Sequence, residues 1–234
     1  MNIKLQKTKI RDFSKKLKVI SLLGGKCKNC NNSNIFHLVC HHKFGKDKNI
    51  ASLLRLSWSK IIEEVKKCEL LCANCHMEYH YNERTQYIKN DSRRKNKILY
   101  LEYRGAECII CGYNKCEASL SFHHRDPNNK KFNIGSTSGN VNSLSDIKSH
   151  IINELDKCDV ICRNCHMEHH KDVEFYHKHK DEILFKVDNL RKISTKIDRS
   201  EVFHLYKNGF SNKEISEKLN CASNTISEIT KHFS

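Results

Sequence analysis

The chain has 234 residues, of which 38% are apolar and 29% charged, with one proline and eight glycines. This excludes a single large core and a collagen-like or Pro/Gly-rich disordered chain, and suits one large or two to three small domains. The formal net charge of +15, with 42 Lys and Arg against 27 acids, suits a polyanionic partner through phosphate neutralisation, or equally a lysine-rich surface that keeps the protein soluble.

No stretch approaches the roughly 20 apolar residues of a membrane helix. The N-terminal MNIKLQKTKIRDFSKKLKVI lacks the apolar core and cleavage site of a secretory leader. The 13 cysteines are therefore expected as metal ligands in a reducing, cytoplasmic compartment rather than as disulfides.

In chain order, the first expected element is a basic helix over Phe13–Leu23. It leads into Cys27 and Cys30 (KCKNC), then LVCHHKFGKDKNI with the pair His41 and His42. Ser52–Lys67 (SLLRLSWSKIIEEVKK) carries apolar residues at helical spacing and precedes CELLCANCHMEYH, with Cys72, Cys75, His76 and His80. The chain then repeats itself. Arg93–Arg104 is a second basic helix, Cys108 and Cys111 match Cys27 and Cys30, and His123 and His124 match His41 and His42. Ser145–Lys157 is a second helical span, and Cys162, Cys165, His166 and His170 close the copy. The offset between copies grows from 81 at the first cysteine to 90 at the last histidine, mostly in the Gly/Ser/Asn loop Gly135–Ser143. Anchors kept while a loop changes length mark a duplicated site. A charged helical connector follows, with apolar residues at Val173, Phe175, Ile183, Leu184, Phe185, Val187 and Leu190.

Two CxxC pairs per copy place four thiolates for one tetrahedral zinc. The pairs are 41 residues apart in copy one and 50 in copy two, longer than in a compact zinc finger, so a subdomain lies between them. Two structural zinc ions per chain are expected: one on Cys27, Cys30, Cys72 and Cys75, the other on Cys108, Cys111, Cys162 and Cys165. Cys68 and Cys158 align with one another without partner pairs and are expected as buried small residues. Cys40, Cys116 and Cys221 have no assigned role.

A complete four-cysteine set leaves the histidines over. At i and i+4 on a helix, His76 and His80, like His166 and His170, project from one face and can chelate a second cation. In a histidine pair on a strand the two rings point to opposite faces, so one can be a ligand and the other is free for different work. The alternative is a mixed Cys/His zinc finger.

The order CxxC, HH, CxxC, HxxxH resembles the HNH endonuclease family in its zinc-knuckle form, with FHHRDP, KKFNI and KCDVICRNCHMEHH close to that family's phrasing. The resemblance covers roughly residues 20–82 and 101–172 and implies a ββα-metal core in each copy. It implies that His41 with His76 and His80, and His123 with His166 and His170, hold a catalytic divalent cation, Mg2+ or another, and that His42 and His124 are general bases. It also implies products with 5′-phosphate and 3′-hydroxyl ends. Copy two has Tyr79 replaced by His169, which is left unassigned. The family's middle asparagine has its slot near Lys67 and Lys157, and Asn49, Asn133, Asn74 and Asn164 are the candidates to replace it. Copy two has HHRDP where copy one has HHKFG; both are expected to be active.

In the last segment, Val202, Phe203, Leu205 and Tyr206 suggest a helix stopped by Gly209. Ser211 with Glu214 forms a capping box that opens a second helix. Asn220 suits a left-handed turn, and a third helix runs from about Ser223. The phrase resembles the helix-turn-helix of resolvase-like and sigma-factor-like DNA readers, with Asn224, Ser227, Glu228 and Lys231 facing base edges. A plain three-helix bundle is the alternative.

The expected architecture is α+β, with HNH modules over residues 1–90 and 91–180 and an all-α helix-turn-helix domain over 181–234. The expected function is a metal-dependent endonuclease acting on double-stranded DNA, of phage, homing or mobile-element type, with two sites that serve both strands. The rival is a non-catalytic, zinc-containing, sequence-specific DNA-binding protein. No membrane partner is expected, and the oligomeric state is left open, a monomer included.

Overall fold

The computed structural model describes residues 3–45, 47–56, 58–85, 92–137, 141–191, 199–219, 221, 223–231 and 233. Among these the fold is mixed α+β. The elements run α1 (Ile3–Leu22), β1 (Leu38–His42), α2 (Ile50–Leu53), α3 (Trp58–Val65), β2 (Cys68–Cys72), α4 (Ala73–Thr85), α5 (Ser92–Tyr103), β3 (Leu120–His124), α6 (Ser149–Leu155) and β4 (Cys158–Cys162). They continue with α7 (Arg163–His169), α8 (Val173–Lys178), α9 (Lys180–Arg191), α10 (Arg199–Lys207), α11 (Asn212–Lys218) and α12 (Ser223–Thr230). β1 pairs with β2, and β3 with β4, as two-stranded sheets. In each copy the second strand runs directly into a helix, β2 into α4 and β4 into α7. No helix among the described residues is long and apolar enough to cross a membrane.

The chain gathers into two compact units that do not follow chain order. One is Met1–Gly25, His42–Glu69 and Asp172–Ser234, and the other is Lys26–His41 with Leu70–Lys171.

In the second unit β3 and β4 are antiparallel, in a register that sets Leu120 opposite Cys162 and His124 opposite Cys158. β4 is buried on both faces, with Val160 and Ile161 each 1% exposed. Neighbouring residues of α5 enter two clusters. Leu101 joins Cys108, Leu120, Val160 and Ile161, while Tyr100 joins Ile134, Val141, Ile147, Ile151 and Leu155. The helix expected over Ser145–Lys157 begins only at Ser149. Ser143 and Asp146 form a capping box around a 3₁₀ turn at Leu144–Asp146, and the N–H groups of Asn142 and Ser143 donate to the Asp146 carboxylate at 3.1 and 3.0 Å. That local bonding holds the chain out of the α-helix for one more turn.

In the first unit α1 reaches further toward the N-terminus than the expected Phe13–Leu23 and packs along α9. Ser14 Oγ donates to the Ile10 carbonyl at 2.8 Å and to the Ile183 carbonyl at 3.1 Å, and Phe13 stacks on Phe175. The helical connector is thus α8 and α9, with Ile183 and Val187 buried. The span Ser52–Lys67 is two helices rather than one. The Lys15 ammonium donates to the carbonyls of Leu54 and Leu56 at 2.9 and 2.7 Å, satisfying groups that a continuous helix would have bonded internally. α10, α11 and α12 close on Val202, Ile215, Ile226 and Ile229. Gly209, at φ +83°, ends α10, and the Ser211–Glu214 capping box opens α11. Asn220 lies outside the described residues.

Candidate metal centres

Each knuckle is shaped by a residue that tolerates a left-handed backbone. Asn31 follows Cys30 at φ +59° and Gly112 follows Cys111 at φ +70°, a conformation that asparagine and glycine adopt at low cost. The chain then turns back, so that Asn31 N–H donates to the Cys27 carbonyl at 2.9 Å and Gly112 N–H to the Cys108 carbonyl at 2.8 Å. The second cysteine pair of each copy comes from the strand–helix junction, where Cys75 N–H donates to Cys72 Sγ at 3.4 Å and Cys165 N–H to Cys162 Sγ at 3.5 Å.

The sulfurs of Cys27, Cys30, Cys72 and Cys75 lie within 4.8 Å of one another, as do those of Cys108, Cys111, Cys162 and Cys165. Cys30 and Cys72 Sγ are 3.6 Å apart, and Cys111 and Cys162 Sγ 3.7 Å. A disulfide needs about 2.05 Å. Thiolates about 2.3 Å from a tetrahedral zinc sit about 3.8 Å apart, so this spacing fits a metal. At Cys108 burial resists ionisation, but backbone N–H groups of Cys162, Cys111 and Ile110 outweigh it and bring the thiol down to about 7. The two groups can hold two zinc ions, one per copy. Cys68 and Cys158 are buried, as expected, and burial pushes both thiols up to about 11.

The expected histidines also converge. The ring nitrogens of His41, His76 and His80 lie within 4.8 Å of one another, as do those of His123, His166 and His170. His76 and His80 bring their Nε2 atoms to 3.3 Å. Imidazole nitrogens about 2.1 Å from one cation are separated by about 3.0 Å at a right angle and about 3.4 Å at the tetrahedral angle. Burial, with the neighbouring imidazoles of His170 and His123, brings His166 down to about 4, and burial also lowers His123. His123 and His166 therefore keep lone pairs for a cation. A fourth ring, at the position left unassigned from sequence, lies against the three histidines in each copy. Tyr79 packs edge-on to His41 at 4.3 Å between centroids, and His169 lies at 4.4 Å from His123. Their position before the last histidine of each phrase is the signal that marks them.

Strand alternation sends the second histidine of each pair elsewhere. His124 Nε2–H donates to Glu154 Oε1 at 2.9 Å, and His42 Nε2–H donates to Glu64 Oε1 at 2.9 Å. Both glutamates are buried, at 1% and 5% exposure. The Glu154 carboxylate is held by Lys157 Nζ at 2.9 Å and by the N–H groups of Lys131 and Phe132 at 2.8 and 3.4 Å. Lys157 first, then these N–H groups and His124, bring its pKa down to about 2 against the cost of burial. At Glu64 burial pushes upward, but Lys67 and the N–H groups of Lys48 and Asp47 prevail and hold it at about 2. An ionised carboxylate only accepts hydrogen bonds. It therefore fixes a proton on Nε2 and leaves Nδ1 as the ring nitrogen that can take or lose one.

Lys67 and Lys157 each brace a glutamate three residues earlier, and that glutamate holds the histidine. Asn49 and Asn133 precede short helical turns, while Asn74 and Asn164 are buried and bonded to each other. The two glutamates were missed from sequence, yet their offset of 90 equals that of the closing cysteines and histidines.

In the C-terminal helices Asn224, Glu228 and Lys231 are exposed. Ser227 is half-buried, and its hydroxyl accepts from Asn212 Nδ2 at 3.3 Å. Comparison of the chain with protein-family models, with curated proteins and with solved structures finds no match.

Proposed function

We propose that the chain is a metal-dependent DNA endonuclease of the HNH type, with α10–α12 serving as a helix-turn-helix that reads DNA. The observation that carries this reading is in copy two. There three imidazoles converge within 4.8 Å, and the next strand residue after His123 is a histidine held at Nε2 by a buried, ionised glutamate. A plain zinc module has no use for either feature.

His123, His166 and His170 would hold a divalent cation, which would supply Lewis acidity toward a phosphodiester. His124, its Nε2–H committed to Glu154, takes the proton of the attacking water on Nδ1. The Glu154 carboxylate stabilises the imidazolium so formed, and Lys157 with the backbone N–H groups of Lys131 and Phe132 keeps that carboxylate ionised. The four-cysteine site joins the knuckle to the β4–α7 junction, fixing the ligands of α7 beside β3. Copy one repeats every one of these residue types in the same order: His41, His42, Glu64, Lys67, His76 and His80. The net charge of +15 favours the phosphate backbone, and Asn224, Ser227, Glu228 and Lys231 are the side chains of α12 offered to base edges. A nuclease joined to such a reader resembles phage and mobile-element enzymes.

The test is cleavage of supercoiled plasmid with Mg2+ or Mn2+, comparing wild type with His42→Ala, His124→Ala and the double variant. Metal-dependent cleavage that disappears in the double variant is expected. Cleavage surviving the double variant would remove the histidine-base assignment, and tight sequence-specific binding without any cleavage would favour the non-catalytic reader.

A further inference from the structure

The two copies meet through a contact that is its own mirror in sequence. Asn74 N–H donates to Asn164 Oδ1 at 3.1 Å, and Asn164 N–H donates to Asn74 Oδ1 at 3.0 Å. Both residues are buried, and both sit at the same place in the phrase, between the cysteines of the second CxxC. When residue i of one module touches its own counterpart and the bond is returned, the contact is isologous, the signature of a two-fold axis. A second layer uses the corresponding glutamates of the two helices, each with a different partner in the other copy. Glu168 of α7 accepts from His37 Nε2 at 2.8 Å and from Asn34 Nδ2, while Glu78 of α4 accepts from the Tyr113 hydroxyl. Each helix thus reaches the segment between knuckle and strand of the other copy. The Ser119 hydroxyl adds a bond to the Asn74 carbonyl at 3.1 Å.

The same two helices carry the metal-site histidines. On α4, Asn74 and Glu78 alternate with His76 and His80; on α7, Asn164 and Glu168 alternate with His166, and His170 follows at its end. The clasp and the ligands are therefore one rigid piece per copy, related by a pseudo-two-fold axis. The strands of duplex DNA are antiparallel and are themselves related by two-fold axes, which is why symmetric proteins meet symmetric half-sites.

We propose that the Asn74–Asn164 clasp makes the chain an intramolecular dimer, whose two sites act on opposite strands of one two-fold-related duplex site with a constant stagger. This rests on the endonuclease reading above. Two unrelated modules on a string would instead nick independently, on either strand, at no fixed separation.

The test uses full-length protein in excess over supercoiled plasmid with Mn2+, with sequencing of both product ends. Wild type should give linear DNA without prior build-up of open circles, with top- and bottom-strand cuts at one constant spacing. His42→Ala and His124→Ala should each give open circles only. Asn164→Ala, first verified by metal analysis to hold two zinc ions, should still nick but with scattered spacing. Should that variant lose zinc, Glu168→Gln with Glu78→Gln takes its place with the same expectation. Linear product from either single-histidine variant, or scattered spacing in wild type, overturns the clasp proposal while leaving the nuclease reading intact. A wild type that cuts no DNA overturns both.

Discussion

Among the described residues, copy one carries two helices between its strands, α2 and α3, whereas copy two carries three 3₁₀ turns and the helix α6. The knuckles differ as well: Lys28 and Asn29 stand between the first cysteines of copy one, and Ile109 and Ile110, both more than 60% exposed, between those of copy two. Against this variation stand four cysteines, three converging histidines and a His–Glu–Lys chain that are the same in both. A scaffold that can be rebuilt around a fixed set of contacts shows which contacts the site depends on. The difference also separates two kinds of bond. The zinc knuckles tie sequence-distant segments together whatever lies between, while Glu64 and Glu154 recruit whichever backbone N–H groups the local loop offers, Asp47 and Lys48 in one copy, Lys131 and Phe132 in the other.

The largest expected effect breaks one knuckle and leaves the other. Structural zinc contributes on the order of 10–16 kcal/mol in small zinc modules, more than the apolar clusters beside it can replace. Cys162→Ser should reduce bound zinc from two ions to one per chain and unfold copy two. Metal analysis with circular dichroism reads this. Retention of two ions and full helicity would mean that the cysteines are not the fold's anchor.

Next comes the comparison of the two histidines proposed as bases. General-base removal costs about 10²–10⁴-fold, so His124→Ala and His42→Ala should each lose that factor at one strand. If His42→Ala leaves both-strand cleavage at the wild-type rate, copy one is a binding module and the copies differ in chemistry as well as scaffold.

The glutamates sharpen the comparison further. Glu154→Gln keeps the size but lets the amide donate to Nε2, undoing the tautomer, so cleavage should fall by no more than the roughly 10²–10⁴-fold of losing the base itself. Bound zinc should stay at two ions per chain. The pH dependence has a definite sign. The Glu154 pKa is lowered in the fold to about 2, so its contribution is complete above the usual carboxylate range and is lost only as pH falls from there toward 2. Cleavage by wild type should therefore show no Glu154-dependent loss between about pH 5 and pH 8. A step in this window that vanishes in Glu154→Gln would contradict an ionised partner.

The four-cysteine groups and the HxxxH pairs were legible from spacing, because CxxC reaches one corner of a tetrahedron and HxxxH one face of a helix; that His41 and His123 join those pairs was expected only from the family resemblance. Glu154 was not legible in the same way. Its role depends on a loop returning its backbone N–H groups to the carboxylate, which no local pattern announces. The shared offset in EVKKC and ELDKC was the available clue. The break before α6 was hidden for a related reason, since apolar spacing over Ser145–Lys157 fits a helix and only the Ser143–Asp146 capping box delays it. Asn74 and Asn164 looked like candidates for one copy's chemistry because a contact between copies has no signature within either.

That contact gives the smallest effect and the most direct measure of how far the copies act as one body. Each Asn→Ala removes one side-chain acceptor and leaves the partner's buried N–H unpaired, a loss of about 1–3 kcal/mol. Two independent sites would make the double variant the sum of the singles. Residues sharing one bonded network are coupled by about 0.5–3 kcal/mol. Here the first substitution already opens half of the clasp, so the second should cost less than it does alone. A thermal-unfolding cycle of Asn74→Ala, Asn164→Ala and the pair, each with two bound zinc ions, reads the coupling. Additivity within about 0.3 kcal/mol would mean that the copies are neighbours by linkage only, and the two-fold geometry would lose its energetic basis.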